Sequence, residues 1–169
     1  INKVVVFNVV GTLIIIIGIL MLLTIPFSLF YKDGMLEALV QSSIITLAIG
    51  VIVKYFTRAR KDDEVRRREG YLIVSFGWIA MILFSTLPYF LTNSIQGISN
   101  TFFETISGLT TTGSTILNNI EQMPESILFW RSMTQWIGGM GIIVLTIAIL
   151  PLLGVGGMEL FTSETPGPT

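Results

Sequence analysis

The chain has 169 residues, of which 51% are hydrophobic and 12% are charged, and its mean hydropathy is +0.77. A typical soluble domain carries about 25% charged residues, so this composition excludes an ordinary soluble protein. Cysteine and histidine are absent from the sequence, which excludes disulfides, thiol catalysis, and zinc or haem sites built on those side chains. We therefore expect an all-α membrane protein that is not an enzyme and has no nucleic-acid partner.

Long uncharged runs predict the membrane spans, because a helix of about 20 apolar residues crosses the hydrocarbon core. The first run, 4–31, is longer than a signal-peptide core and ends without a small-residue cleavage site, so we interpret it as a retained helix. The second run covers 36–56, and we assign 1–57 to a two-helix N-terminal membrane hairpin. A third span is expected at 71–91 and a fourth at 126–160.

Basic residues near the ends of the spans predict the orientation of the chain. Residues 54–69 contain seven of the ten Lys and Arg residues, whereas 32–37 contains one and 92–125 contains none. We therefore interpret 58–70 as a basic cytoplasmic loop and place 92–125 on the extracytoplasmic side. Both termini are then cytoplasmic, including a tail at 161–169.

A polar segment at 107–115, reading Ser-Gly-Leu-Thr-Thr-Thr-Gly-Ser-Thr, lies between the third and fourth spans. Its side chains are unsuited to acid or base chemistry, but its carbonyl and hydroxyl oxygens are of the kind that replace the hydration shell of a cation in a selectivity filter. The preceding stretch 101–109 is only about 13 Å long as a helix, too short to span. Since both flanks lie outside, we expect a helix at about 100–109 that enters the membrane and a segment at 110–115 that returns.

The predicted cation site consists of backbone oxygens. Gly113 permits the conformations that turn carbonyl groups toward an axis, and the C-terminal end of the short helix carries partial negative charge that favours a cation. We assign the row of carbonyl oxygens to Thr110, Thr111, Thr112 and Gly113, with Ser114 in support. A polar loop that only caps a helix is the alternative interpretation.

Glu104 is the lone acidic residue between Glu69 and Glu121, and a carboxylate inside a membrane protein is a candidate functional group. Its spacing from Thr101 matches a capping box at the start of a helix, which is the favoured interpretation. Attraction of cations at the outer mouth of the site is the alternative. Arg131, at the start of the fourth span, is a further candidate partner for the charge.

Three glycines, Gly138, Gly139 and Gly141, follow in the fourth span. A phosphate-binding loop is the first idea that such a cluster suggests, but this one neither follows a strand nor has the required spacing. Small residues in an apolar helix more often permit close helix packing. The sequence therefore predicts a tight helix contact here.

Two runs of sequence resemble a known family. The stretch 102–115, which begins Phe-Phe-Glu-Thr-Ile and includes the Thr-Thr-Thr-Gly motif, resembles the first pore loop of the Trk/Ktr/HKT-type potassium transporter family. The stretch 135–145 is similar to the helix that follows that loop, and the runs at 148–151 and 164–168 also fit. The two additional N-terminal spans resemble the TrkH-like branch, the membrane subunit of the Trk potassium uptake system.

The resemblance implies potassium uptake across the bacterial inner membrane through the pore-forming subunit of a channel-like transporter, with potassium as the bound ion. Four successive helix–re-entrant pore loop–helix repeats surround the pore in this family. Residues 71–160 would form the first repeat, and 110–113 would give one quarter of the filter. One loop cannot encircle an ion, so further repeats of the same polypeptide, or four copies, are expected; the Pro-Gly-Pro ending at 166–168 favours an N-terminal fragment.

The resemblance also implies partners and leaves alternatives open. The membrane subunits would form a homodimer and bind a cytoplasmic nucleotide-binding regulatory subunit. A non-conducting membrane scaffold or anchor with an inert loop is one alternative. A family member permeable to sodium and potassium is another, because Ser114 stands where potassium channels with a Thr-Val-Gly-Tyr-Gly filter have an aromatic residue.

Overall fold

The computed structural model describes residues 2–57 and 67–152, with the backbone alone described for 67 and 142–152. Helices account for most of these residues, and no strand occurs among them. The helices are α1 (Lys3–Leu22), α2 (Ile25–Tyr31), α3 (Leu36–Phe56), α4 (Arg67–Ser85), α5 (Leu87–Leu91), α6 (Ile98–Leu109) and α7 (Glu125–Leu152), with a 3-10 helix at Ile120–Gln122. The expected all-α fold is confirmed.

Three helical stretches in the described ranges are long and apolar enough to cross a membrane, namely Lys3–Tyr31, Leu36–Phe56 and Arg68–Thr92. They correspond to the first three predicted spans. The fourth corresponds to α7, and its expected end near residue 160 lies outside the described residues, as do 58–66 and the tail 161–169. Because α4 already begins at Arg67, residues 67–70 belong to a helix and not to the predicted basic loop.

Prolines break two of these stretches near their C-terminal ends. Pro26 lies in the first turn of α2 and Pro88 in the first turn of α5. A proline has no N–H to donate, and its ring clashes with the carbonyl of the preceding turn. Between α1 and α2, two backbone N–H groups instead bond carbonyls three residues earlier. The span predicted for 4–31 is therefore made of two consecutive helices, because hydropathy does not register a missing hydrogen bond.

Small residues allow α1 and α3 to pack closely. A Cβ atom added to Gly11 would lie 3.1 Å from the backbone nitrogen of Lys54, and one added to Gly50 would lie 2.9 Å from that of Ile15. In a membrane, where lipid is as apolar as leucine, close backbone approach of this kind supplies much of the packing energy between helices. The two N-terminal helices therefore form one tightly packed unit, against which α4 also packs.

The hydrophobic core joins this unit to the later helices. Its buried members come from five separate segments: Ile17, Met21, Leu39, Tyr89, Ile95, Ile127 and Trp130. Trp130 of α7 is completely buried, and its indole Nε1 donates a hydrogen bond to the Ser85 carbonyl at 3.0 Å, where α4 gives way to α5. The first half of α7 is thus fixed against both the N-terminal helices and the α4–α5 pair.

The loop between α2 and α3 contacts the first turn of α7. One carboxylate oxygen of Asp33 accepts hydrogen bonds from the backbone N–H of Ser126, at 3.1 Å, and from its hydroxyl. The other oxygen accepts from the Ser28 hydroxyl and, at 3.1 Å, from the Met35 N–H. Partial burial raises the pKa of the Asp33 carboxyl, but these hydrogen bonds outweigh it and leave the pKa below its usual value. Asp33 is therefore charged at neutral pH.

Candidate functional site

The short helix predicted at about 100–109 is α6, which begins two residues earlier, at Ile98. Gly97 precedes it with φ +88°, and no side chain caps this end. Thr101 lies inside the helix, where its hydroxyl donates to the Gly97 carbonyl at 2.9 Å. The capping box predicted for Thr101 and Glu104 is therefore wrong, because the cap position belongs to Gly97 and the Glu104 carboxylate bonds elsewhere.

The Glu104 carboxylate, only 2% exposed, connects α6 to α7 and to the polar segment. Its Oε1 accepts a hydrogen bond from Arg131 Nε at 2.6 Å, so the hypothesis of a Glu104–Arg131 pair is confirmed. Its Oε2 accepts from the Thr115 hydroxyl at 2.9 Å and from the Ile116 backbone N–H at 3.1 Å. Charge-assisted bonds of this kind are about twice as strong as neutral ones. The buried negative charge of Glu104 is therefore compensated by Arg131 of α7 and by two donors of the returning segment.

The chain reverses its direction after α6. The Ser107 hydroxyl donates to the Ser114 carbonyl at 2.5 Å. Three residues closer to the start of the same helix, Glu104 bonds Thr115. Later residues of the segment thus pair with earlier residues of the helix. The segment 110–116 therefore runs back alongside α6, toward the end at which the helix begins.

The end of α6 is a Schellman motif, in which residues after the helix bond its last carbonyls. The Thr112 N–H donates to the Ser107 carbonyl and the Thr111 N–H to the Gly108 carbonyl, each at 3.0 Å. The left-handed position of the motif, where glycine is usual, is taken by Thr111 with φ +55°. A β-branched residue with positive φ is a genuine outlier and costs roughly 1–3 kcal/mol. Backbone strain is thus located at the centre of the Thr-Thr-Thr-Gly motif.

Backbone amides and carbonyls of this segment are used differently. The N–H groups of Thr110, Thr111 and Thr112 all bond back to α6. Within the described ranges, no donor bonds the backbone carbonyl oxygens of residues 110–113. All four residues are exposed, and Gly113 has φ +78° with nothing within 4 Å of the position of an added Cβ. The segment thus presents carbonyl oxygens on an exposed face, while its first three backbone N–H groups are bonded to α6.

Gly138 allows α7 to contact the end of α6. A Cβ atom on Gly138 would lie 1.9 Å from the Leu109 carbonyl oxygen, a distance that no side chain permits. At the next residue, a Cβ on Gly139 would lie 3.9 Å from Thr111 Cγ2, an ordinary contact. For Gly141, no described atom lies within 4 Å of that position. The close helix packing predicted for the glycine cluster is therefore confirmed at Gly138.

Most of the chain matches a family of transport proteins. The family model described as TrkH, a cation transport protein, matches residues 35–169. The chain belongs to the TrkH family. The resemblance carried by 102–115 and 135–145 is thereby confirmed.

Individual TrkH proteins are similar over nearly the whole chain. The Trk system potassium uptake proteins TrkH of Salmonella typhimurium and Escherichia coli (strain K12) are 45% and 44% identical over 162 residues, with 95% of this chain and 33% of each relative covered. The crystal structure of the potassium transporter TrkH from Vibrio parahaemolyticus matches with a TM-score of 0.85 and 35% identity, over 98% of this chain and 34% of that one. The chain thus spans about a third of the length of the TrkH proteins that it matches.

In this TrkH-family chain, the predicted residues 110–114 follow the end of α6, and the Glu104–Arg131 pair lies more than one turn before that end. The returning segment joins the two places, because Thr115 bonds Glu104. Other features of the site have weaker sequence signals. Ser107 and Thr115 hold the segment against the helix. The sequence feature that points to these two residues is the run of hydroxyl side chains. The positive φ of a threonine has no sequence signal, because β-branched residues rarely adopt it.

Proposed function

We propose that this chain provides one quarter of a potassium-selective filter in the pore-forming subunit of a channel-like transporter, which takes up potassium across the bacterial inner membrane. The observation that carries this proposal is that the amides of residues 110–112 bond back to α6, while the carbonyl oxygens of 110–113 have no donor in the described contacts. Carbonyl oxygens free to coordinate can replace the hydration shell of a potassium ion. The relatives named as potassium uptake proteins favour potassium as that ion.

The position of the segment along α7 supports a re-entrant loop. Ser126 bonds the loop that precedes α3, and Gly138 contacts the end of α6 twelve residues later, about 18 Å along a helix. The hydrocarbon core of a bilayer is about 30 Å thick, so this contact would lie near its centre. A segment that returns from this depth beside its own helix fits irregular backbone that lines a water-filled path. The lack of Lys and Arg in 92–125 favours entry from the extracytoplasmic side, with both termini cytoplasmic.

A single loop cannot surround an ion, and the exposed face of 110–115 is available to other segments. We propose that three further loops complete the ring, supplied by later repeats of the same polypeptide or by other copies of the chain. A homodimer and a cytoplasmic nucleotide-binding regulatory subunit complete the proposed assembly. The bilayer surrounds the apolar faces of the three candidate spans.

Gly113→Ser tests the filter directly. The full-length gene product should restore growth at low potassium to cells that lack potassium uptake, and the variant should weaken its preference for potassium over sodium. Serine fits sterically, but a side chain at φ +78° costs about 1–2 kcal/mol, so the backbone carbonyls should rearrange. We expect the preference, measured as the ratio of uptake rates, to fall about tenfold, the equivalent of 1.4 kcal/mol.

Asn93→Ala is the matched control. Asn93 has φ +50° at an exposed position between α5 and α6, and alanine tolerates this conformation less well than asparagine does. It should lower the folded yield and leave the ion preference unchanged. If Gly113→Ser keeps the wild-type preference, the filter proposal fails. Protein that reaches the membrane but never rescues growth would favour the inert scaffold, and equal uptake of both ions would favour the sodium- and potassium-permeable alternative.

Thr111→Gly should separate stability from selectivity. Glycine relieves the positive-φ strain, so the thermal midpoint in detergent should rise, by the equivalent of about 1 kcal/mol. The preference for potassium should fall at the same time, because a freer backbone holds its carbonyls less firmly. Asn93→Gly is the control, since Asn93 has φ +50° between α5 and α6 and its change should raise stability alone. A stabilised Thr111→Gly protein with full selectivity would show that the strain has no function.

A further inference from the structure

We propose that Asp33, in the loop between α2 and α3, is a positioning residue for the candidate filter. It would act through α7, whose register against the end of α6 it fixes. This inference rests on the proposed function and goes beyond it, because it gives the two N-terminal helices a part in ion selection. Those helices lie outside the helix–loop–helix unit that contains the polar segment.

The Asp33 carboxylate joins two parts of the chain that are far apart in sequence. Its Oδ1 bonds Ser28 of α2 and Met35 of its own loop, and its Oδ2 bonds both the N–H and the hydroxyl of Ser126, 93 residues away. Ser126 is completely buried and lies in the first turn of α7. A carboxylate at this end of a helix also complements the helix dipole. Two hydrogen bonds thus join the start of α7 to Asp33, and two more hold the Asp33 carboxylate in place.

An aromatic contact reinforces the same junction. The rings of Phe27 in α2 and Phe129 in α7 are stacked, with centroids 3.9 Å apart and planes inclined by 16°. Such ring pairs contribute beyond the area that they bury. The junction between α2 and α7 therefore has both a polar and an apolar component, and its position along α7 is well defined.

One buried face of α7 leads from this junction to the candidate site. Residues four apart lie on one side of a helix, and four such residues are buried here: Ser126, Trp130, Thr134 and Gly138. Thr134 Oγ1 would lie 2.7 Å from a Cβ on Gly108, and Gly138 approaches the Leu109 carbonyl more closely than any other residue type allows. The face that Asp33 holds at its start is thus the face that supports the end of α6.

This contact tolerates little movement along the axis of α7. A displacement by half a residue is about 0.8 Å, and the backbone of Gly138 is already in direct contact with Leu109. Leu109 immediately precedes the Thr-Thr-Thr-Gly motif, so a shift of α7 would be transmitted to the carbonyl groups of that motif. Asp33 therefore limits the freedom of the filter without touching it.

Asp33→Asn in the full-length protein tests this inference. Asparagine keeps the size of the side chain but replaces one acceptor oxygen with a donor, so the bonds to Ser126 or to the loop are lost. We expect the potassium-to-sodium ratio of uptake, per folded molecule, to fall about three- to tenfold. Ser126→Ala should lower it in the same direction, and the double variant should be no worse than Asp33→Asn alone. Glu37→Gln is the control, because Glu37 is an exposed carboxylate at the start of α3. It should leave the potassium-to-sodium ratio of uptake unchanged.

Gly113→Ser provides the reference that separates this inference from the proposed function. If Gly113→Ser alters the ion ratio and Asp33→Asn does not, the inference is overturned and the filter stands. If neither alters it, both fail. Should Asp33→Asn not be recovered as folded protein, Ser126→Ala decides in its place: a reduced ratio supports the inference, and a wild-type ratio overturns it. A loss of abundance with an unchanged ratio means that Asp33 only stabilises the fold.

Discussion

Gly138→Ala should prevent most of the full-length protein from folding. The added methyl carbon would stand 1.9 Å from the carbonyl oxygen, 2.6 Å from the carbonyl carbon and 2.9 Å from the Cα of Leu109. These are backbone atoms, so no side-chain rotation relieves the clash, and α6 must separate from α7. Overpacking usually costs about 1–3 kcal/mol, and we expect this variant to exceed that range. Folded yield and thermal midpoint in detergent measure the loss.

Gly141→Ala is the internal control for this experiment. It adds the same methyl group to the same helix one turn later, where no described atom lies within 4 Å. Alanine favours a helix over glycine by about 1 kcal/mol, so this variant should be as stable as the wild type or slightly more stable. Equal folded yields and thermal midpoints of the two variants would show that α6 and α7 are not in backbone contact at Gly138.

Much of the fold follows from local properties of the sequence. Uncharged runs locate the spans, because the bilayer imposes a minimum apolar length. The length of the apolar stretch before the Thr-Thr-Thr-Gly motif marks α6 as a short helix, and its predicted start is two residues from the observed one. The pair of Glu104 and Arg131 can also be predicted from the sequence, since isolated charges in an apolar environment need partners.

Contacts between distant segments cannot be predicted from these local properties of the sequence. The spacing of Thr101 and Glu104 fits a capping box, but the same spacing occurs inside any helix, and the partners that Glu104 uses come from Thr115 and α7. The hydrogen bond from Trp130 to the Ser85 carbonyl depends on where α4 ends and on which face α7 presents. These contacts depend on how distant helices pack together, and local sequence patterns do not reveal that packing.

Glu104→Gln should destabilise the protein strongly and broaden its ion preference. The change removes the charge that Arg131 Nε bonds at 2.6 Å and places a donor group among the N–H and O–H donors of Ile116 and Thr115. Removal of one partner from a buried ion pair costs about 3–5 kcal/mol. Folded yield, thermal midpoint and the potassium-to-sodium uptake ratio are the measurements. Glu121→Gln, an exposed change in the connection between α6 and α7, should leave folded yield, thermal midpoint and uptake ratio unchanged.

Arg131→Gln decides what the Glu104 carboxylate does. If Glu104 holds the returning segment in place, both substitutions break the same network, so each should lower stability and selectivity, and the double variant should be little worse than either alone. If Glu104 instead attracts cations, removing Arg131 exposes an uncompensated negative charge, and potassium uptake at low ionic strength should rise while Glu104→Gln lowers it. Effects of the same sign support the first role. The buried position of the carboxylate and its bonds to Thr115 and Ile116 lead us to expect that outcome.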